Sequence, residues 1–226
     1  MKKLYLFILI FVLNFNVFKV HSQVGIELIG MEQKFTNWNE VITNYALEEY
    51  SFMKYSYGAG INYWFRLKDF RVEFTPGLNY LYSDFKFDNP DCSFHYLSHS
   101  IVAEFDVNIY PFDLRRKRYE RDCPSFSNKG EFFSKGFFFQ VSPGLFGSYR
   151  NVSNKYIKNK DLAGKLDFGA GIDIGINRVF MVAPVLKYGF TLANNWTGFS
   201  DFHAEKSYND KTPGSYFSLS LNFYLK

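Results

Sequence analysis

The chain has 226 residues and a formal net charge of +4, and 21 % of it is aromatic, with 28 Phe and 17 Tyr. An exported leader carrying Lys2, Lys3 and Lys19 and no acid takes that charge to +1 when removed. Such a balance gives no case for nucleic-acid binding, and the aromatic content exceeds what a soluble surface usually carries.

The leader is read at residues 1–22: Lys2 and Lys3 precede an apolar run from Leu4 to Leu13, and Val20, His21, Ser22 form the cleavage site. The mature chain, from Gln23 to Lys226, is one domain, and no cysteine at the junction offers a lipid anchor. No later run of about 20 apolar residues remains, so no transmembrane helix is expected.

The mature chain alternates apolar and polar residues with a period of two. Strand one runs from about Val24 to Met31, with Val24, Ile26 and Leu28 on one face and Glu27 on the other. A polar loop reaches Lys54. Strand two, Tyr55 to Phe65, puts Tyr55, Tyr57, Ala59, Ile61, Tyr63 and Phe65 outward and Ser56, Gly58, Gly60, Asn62 and Trp64 inward. Strand three carries Phe70, Val72, Phe74, Pro76, Leu78, Tyr80 and Tyr82 outward, against Arg71, Glu73, Thr75, Gly77 and Asn79. A loop from Asp84 to Tyr96 is expected next.

Strand four, Leu97 to Ile109, alternates His99, Ile101, Ala103, Phe105 and Val107 with Ser98, Ser100, Glu104, Asp106 and Asn108. A long connection from Tyr110 to Lys135 leads to strand five, Gly136 to Tyr149. A basic, Asn-rich loop precedes strands six and seven, the clearest pair in the chain. Leu166, Phe168, Ala170, Ile172, Ile174 and Ile176 alternate with Asp167, Gly169, Gly171, Asp173, Gly175 and Asn177, and the pattern returns at Phe180, Val182, Pro184, Leu186, Tyr188 and Phe190. A last loop, Ala193 to Gly214, leads to strand eight, where Phe217, Leu219, Leu221, Phe223 and Leu225 face one way.

Eight strands of about 11 residues are enough to cross a bilayer when tilted, and their even number suits a transmembrane antiparallel β-barrel with an up-and-down meander. Register supports the pairing, because partners across a hairpin must share a face. Strands two and three need an even loop, supplied by Arg66 to Asp69; strands six and seven need an odd one, supplied by Asn177 to Val179. No apolar-face position of the eight strands is Asp, Glu, Lys or Arg, as a lipid face demands. A soluble lipocalin-like barrel would instead have to pack these mostly large side chains inside a small lumen. Tyr55, Tyr57, Tyr82, Tyr149 and Tyr188 near strand ends fit an aromatic girdle, while Pro76, Pro143 and Pro184 predict bulges, since proline removes a ladder hydrogen bond. With eight crossings both termini are periplasmic, the loops after strands one, three, five and seven are extracellular, and the 110–135 connection is periplasmic. Cys92 and Cys123 then lie at opposite ends as separate thiols.

The hairpin halves repeat: Gly58, Ala59, Gly60 matches Gly169, Ala170, Gly171, and Pro76, Gly77, Leu78 matches Pro143, Gly144, Leu145. Together with the leader, the alternating strands, the segment Asp122, Cys123, Pro124, Ser125, Phe126 and the stretch Lys135 to Gln140, these features resemble the Bacteroidetes-type outer-membrane β-barrel proteins called PorT-like. The resemblance implies an outer-membrane location in a Gram-negative bacterium and no shared catalytic residue. Some relatives in the wider group serve protein secretion and gliding. The chain departs from the usual barrel ending by closing on Lys226 rather than on an aromatic residue.

The inward charges Arg71, Glu73, Glu104, Asp106, Asp167, Asp173 and Lys187 read as an ion-paired structural plug of the lumen, with Lys187 diagonal to Asp167 and paired with it. His95, Ser98, His99 and Ser100 suggest a barrel enzyme acting on outer-membrane lipid, but His99 is out of phase with both serines. His95 and His99 would lie about 13 Å apart on a strand, too far for a metal pair. The cluster Arg115, Arg116, Lys117, Arg118 and Arg121 reads as a solvated loop, an inner-leaflet phosphate contact or a candidate docking site for a periplasmic partner. No catalytic, cofactor or metal residues are assigned. The expectation is a non-enzymatic outer-membrane barrel that contacts lipid and other envelope proteins, the alternatives being a lipid-modifying enzyme or a narrow channel.

Overall fold

The computed structural model describes residues 23–36, 38–39, 43, 53–66, 70–89, 92–112, 136–152, 155–176, 180–195 and 211–225. The leader, Cys123, the Asn177 to Val179 turn, Lys226 and the basic cluster from Arg115 to Arg121 lie outside the described residues. Eight strands form: β1 (Gln23–Phe35), β2 (Tyr55–Arg66), β3 (Val72–Asn89), β4 (Cys92–Ile109), β5 (Phe137–Val152), β6 (Lys155–Ile172, resuming after Asp173 as Ile174–Gly175), β7 (Phe180–Asn195) and β8 (Lys211–Leu225). Each pairs antiparallel with its neighbours in the chain, and β8 pairs with β1, which closes the sheet into a barrel.

Closure is staggered. From Met31 the ladder passes one way through Ser56, Ser83, Ser98 and Arg150 to Asn159 on β6. The other way, through Ser218 and Lys187, it reaches Gly169, ten residues further along the same strand. A stagger of this kind requires the strands to tilt by roughly 35–45° to the barrel axis.

The two faces separate as the alternation predicts. Ile61 is 62 % exposed on the outside and Leu145 54 %, whereas the neighbouring inward positions Asn62 and Glu104 are buried. Phenylalanines line part of the outer wall, with rings 5.2 Å apart for Phe65 and Phe74 and 5.7 Å for Phe74 and Phe105. The exposed charges Glu32, Lys34, Asp84, Lys86 and Lys160 all lie toward one end, here called upper, where the β3–β4 hairpin closes. Among the described residues no helix is long and apolar enough to cross a membrane.

Several boundaries differ from the sequence expectation. The expected loops at Asp84 to Tyr96 and between strands five and six are instead continuations of the strands: Asn89 pairs with Cys92, and Val152 with Lys155. β1 reaches Phe35, β7 reaches Asn195, and β8 starts at Lys211. The reason is a change of solvent along one strand. Above the apolar band the outward positions Asp84 and Lys86 are polar, and aromatic residues move to the inward phase, where Phe85 and Tyr96 meet at 6.0 Å. The alternation persists while its polarity inverts, so composition alone reads as a loop.

The connection between β2 and β3 keeps its even parity but is longer than Arg66 to Asp69, because Arg66 itself pairs with Glu73. Between β6 and β7 the odd register holds, with Ile174 opposite Val182 and Asp167 opposite Gly189. The expected bulges at the prolines do not form. Pairing stops at Asn62 with Gly77 and resumes at Phe65 with Phe74 in the same register, beside Pro76. The same gap occurs beside Pro143 between β4 and β5, and beside Pro184 between β6 and β7. On their other sides all three prolines stay in continuous ladders, opposite Phe105, Leu166 and Leu221. A strand residue sends its N–H toward only one neighbour, so a missing N–H opens one ladder locally and leaves the register intact.

Candidate functional site

Among the described residues the buried charged side chains gather in the lumen, which is stratified. The lowest stratum joins Trp64, Tyr110, Phe138, Met181, Ala183, Val185 and Tyr224 into an apolar plug. Arg71 lies against it, its guanidinium 4.0 Å from the Tyr110 ring centre, 3.5 Å from Asp173 and 3.8 Å from Glu73. The Tyr110 hydroxyl sits 2.8 Å from Glu73 Oε2 and 2.7 Å from Asp173 Oδ2, and Trp64 Nε1 donates to Glu73 at 2.6 Å.

The middle stratum holds Glu27, Glu104, Asp106, Asp167, Lys165 and Lys187, all buried. Lys165 Nζ bridges Glu104 at 2.6 Å and Asp167 at 2.8 Å. Lys187 Nζ reaches Asp106 at 3.3 Å, Glu104 at 3.5 Å and Glu27 at 3.7 Å. Four carboxyl groups therefore face two ammonium groups, and neutral donors add to them. Asn79 Nδ2 donates to Glu104 at 2.7 Å and Glu27 at 3.2 Å, and the Tyr216 hydroxyl donates to Asp167. Buried charges persist only with such partners.

Above lies a second apolar stratum, Met31, Leu81, Val102, Phe146 and Tyr216. The upper end is polar again: Gln33 Nε2 donates to the Met53 carbonyl at 2.7 Å and to Ser56 at 2.9 Å, and Arg150 lies 3.7 Å from Asp161 and 5.0 Å from the Trp38 ring centre. Cavities left in the upper and middle lumen are about 10 Å³ each, room for about one water.

All seven charges expected in the lumen point inward, but the structure splits them into two groups with apolar residues between. Lys187 makes its ion pairs with Asp106, Glu104 and Glu27; Asp167, its expected partner, lies within its electrostatic reach but is held directly by Lys165 and Tyr216. The network also takes in Lys165, Tyr216 and Tyr110, which sequence reasoning missed. Lys165 sits one residue before the expected start of strand six, and Tyr110 falls in the expected connection after strand four. Glu27 had the inward phase without an assigned role.

The His and Ser cluster does not assemble. Ser98 and Ser100 are buried in the lumen, His99 lies on the outer wall with Nδ1 2.6 Å from the Tyr80 hydroxyl, and His95 Nε2 meets Asp84 at 3.2 Å. Among the described residues no three His, Cys, Asp or Glu side chains take a metal-holding arrangement.

Similar folds occur among solved structures. Neisserial surface protein A is 11 % identical over 91 % of this chain and 96 % of its own, with a TM-score of 0.45. Ail, the attachment invasion locus protein of Yersinia pestis, is 10 % identical over 90 % and 96 %, at 0.41. The outer membrane protease OmpT of Escherichia coli is 7 % identical over 92 % and 96 %, at 0.42. No protein-family model and no curated protein matches the sequence. The chain is an all-β protein, a closed eight-stranded antiparallel meander whose lumen is filled by its own side chains.

Proposed function

We propose that the protein is a non-enzymatic outer-membrane β-barrel acting as a structural or interaction protein, a subunit of a larger envelope or protein-secretion assembly. The observation that carries this reading is the pairing of a filled lumen with an apolar outer wall. A wall of exposed Ile, Leu, Phe and Tyr that among the described residues carries no exposed charge below its upper rim suits lipid. Two apolar strata and an ionic stratum between them leave a conduit no room. What remains for function is the two ends and the lipid-facing surface.

The same reading takes residues 1–22 as a signal peptide, the remainder as one barrel domain, and both termini as periplasmic. The resemblance to PorT-like proteins supports the envelope-assembly part, with the basic cluster Arg115 to Arg121 and the extracellular loops as docking sites for partners. The lipid-modifying enzyme loses its best candidate residues, since the two histidines and two serines point to opposite sides of the wall. The narrow channel loses its path.

The test is purification from the native membrane in mild detergent, followed by mass spectrometry of whatever stays bound at near-equal stoichiometry. A stable companion that is lost on deleting Arg115 to Ser134 is the expected result. A barrel recovered alone, with altered lipid acylation in a deletion strain, would replace the subunit reading with the enzyme one.

A further inference from the structure

On the outer wall the register sets five polar or aromatic side chains in one line across five strands. Tyr57 lies opposite Tyr82, Tyr82 opposite His99, His99 opposite Tyr149, and Tyr149 opposite Lys160. Side chains directly across a ladder stand about 5 Å apart, so His99, Tyr149 and Lys160 present an imidazole, a hydroxyl and an ammonium within about 10 Å. His99 brings an imidazole into the outward phase of an otherwise apolar band, and it is held in place. The Tyr80 hydroxyl lies 2.6 Å from its Nδ1, and the Tyr82 ring centre is 5.6 Å away. In the tautomer in which Tyr80 donates to Nδ1, the ring hydrogen is on Nε2, for which no partner is found among the described residues.

We propose that this line, centred on His99, Tyr149 and Lys160, binds the phosphate of a membrane lipid head group. The proposal rests on the membrane reading above and deepens it. At the His99, Tyr149 and Lys160 end, three donors, one of them a cation and none paired with a described acid, complement a cluster of anionic oxygens. Lys160 is exposed, and among the described residues no acid pairs with it. Asp84 borders the far end of the line, where it is hydrogen-bonded to Tyr82 and lies 3.2 Å from His95. The opposite wall differs: Tyr188 packs tilted against Phe217, ring centres 4.9 Å apart, on a surface that also exposes Leu192 and Leu219, with no described cation beside them.

The test is native mass spectrometry of the mature barrel in detergent, titrated with phosphatidic acid or with diacylglycerol, which carries the same tails and no phosphate. One phosphatidic acid should be retained with at least about tenfold preference, the worth of one charge-assisted hydrogen bond. Lys160→Ala and His99→Phe should each lose most of that preference, Tyr149→Phe should lose less, and Tyr188→Phe should lose none. Folding of each variant is checked by the shift in gel mobility on heating. Equal retention of both lipids, or an equal loss in Tyr188→Phe, overturns the site. A protein that stays monomeric in water without detergent overturns the membrane reading and this site with it, whereas a detergent-dependent barrel indifferent to phosphate overturns the site alone.

Discussion

Lys165 and Glu104 meet at 2.6 Å although their strands are not neighbours; β5 runs between them, and the residue it places between the two is Gly144. A Cβ there would stand 3.2 Å from Lys165 Cγ and 2.6 Å from the Ala103 carbonyl oxygen. The arrangement recurs. Glu27 and Asn79 join across Gly60, and Asp167 and Tyr216 join across Gly189. Glycine here supplies room for polar side chains on alternate strands to touch above it.

Gly144→Val should therefore break the Lys165 to Glu104 contact and overpack the lumen, costing about 3 kcal/mol. Urea unfolding followed by gel mobility measures it. Gly30, with no atom within 4 Å of a built Cβ, is the control, and Gly30→Val should change stability by less than about 0.5 kcal/mol.

Lys187 is the shared partner of three carboxylates on two strands. Lys187→Met leaves Asp106 and Glu27 without an ammonium partner, while Glu104 keeps Lys165, and should cost about 3–5 kcal/mol. The double variant Lys187→Met with Asp106→Leu should be more stable than the single, since it removes one stranded acid. Additive losses in that cycle would show that the two residues do not interact.

A lipid-facing wall and a wetted one respond oppositely to charge. Ile61→Arg, at a position already 62 % exposed, should cost about 2–4 kcal/mol if it lies at mid-bilayer and almost nothing if the surface meets water. Leu97→Arg, near the upper edge of the band, should cost about 1 kcal/mol or less. Unfolding from vesicles reads both.

Planar bilayers should show no stepwise conductance from the purified barrel. Widening the middle stratum by Lys165→Ala together with Glu104→Ala should still give none, because the apolar strata above and below remain. A current from the unmodified barrel would contradict the filled lumen directly.

Strand phase is legible wherever one face meets an apolar medium and the other does not, which is why Asp167 opposite Gly189 and Ile174 opposite Val182 come from a three-residue turn alone. Above the apolar band that asymmetry inverts, and the Asp84 to Tyr96 stretch reads as a loop although its period never changes. Inward direction is likewise legible for Arg71, Glu104 and Lys187. Who touches whom is not, because partners are chosen across strands two or three apart, some of them through the gaps that Gly60, Gly144 and Gly189 leave.

That choice sets how the sequence can drift. A side chain on the outer wall has only soft neighbours and can be exchanged alone. A lumen pair joined across Gly60, Gly144 or Gly189 is tied to its partner and to that glycine, so an accepted change at one of the three calls for compensation at the other two. Comparing distant versions of this barrel by pairwise covariation would blur that signal; the unit to look for is a triplet spread over three consecutive strands.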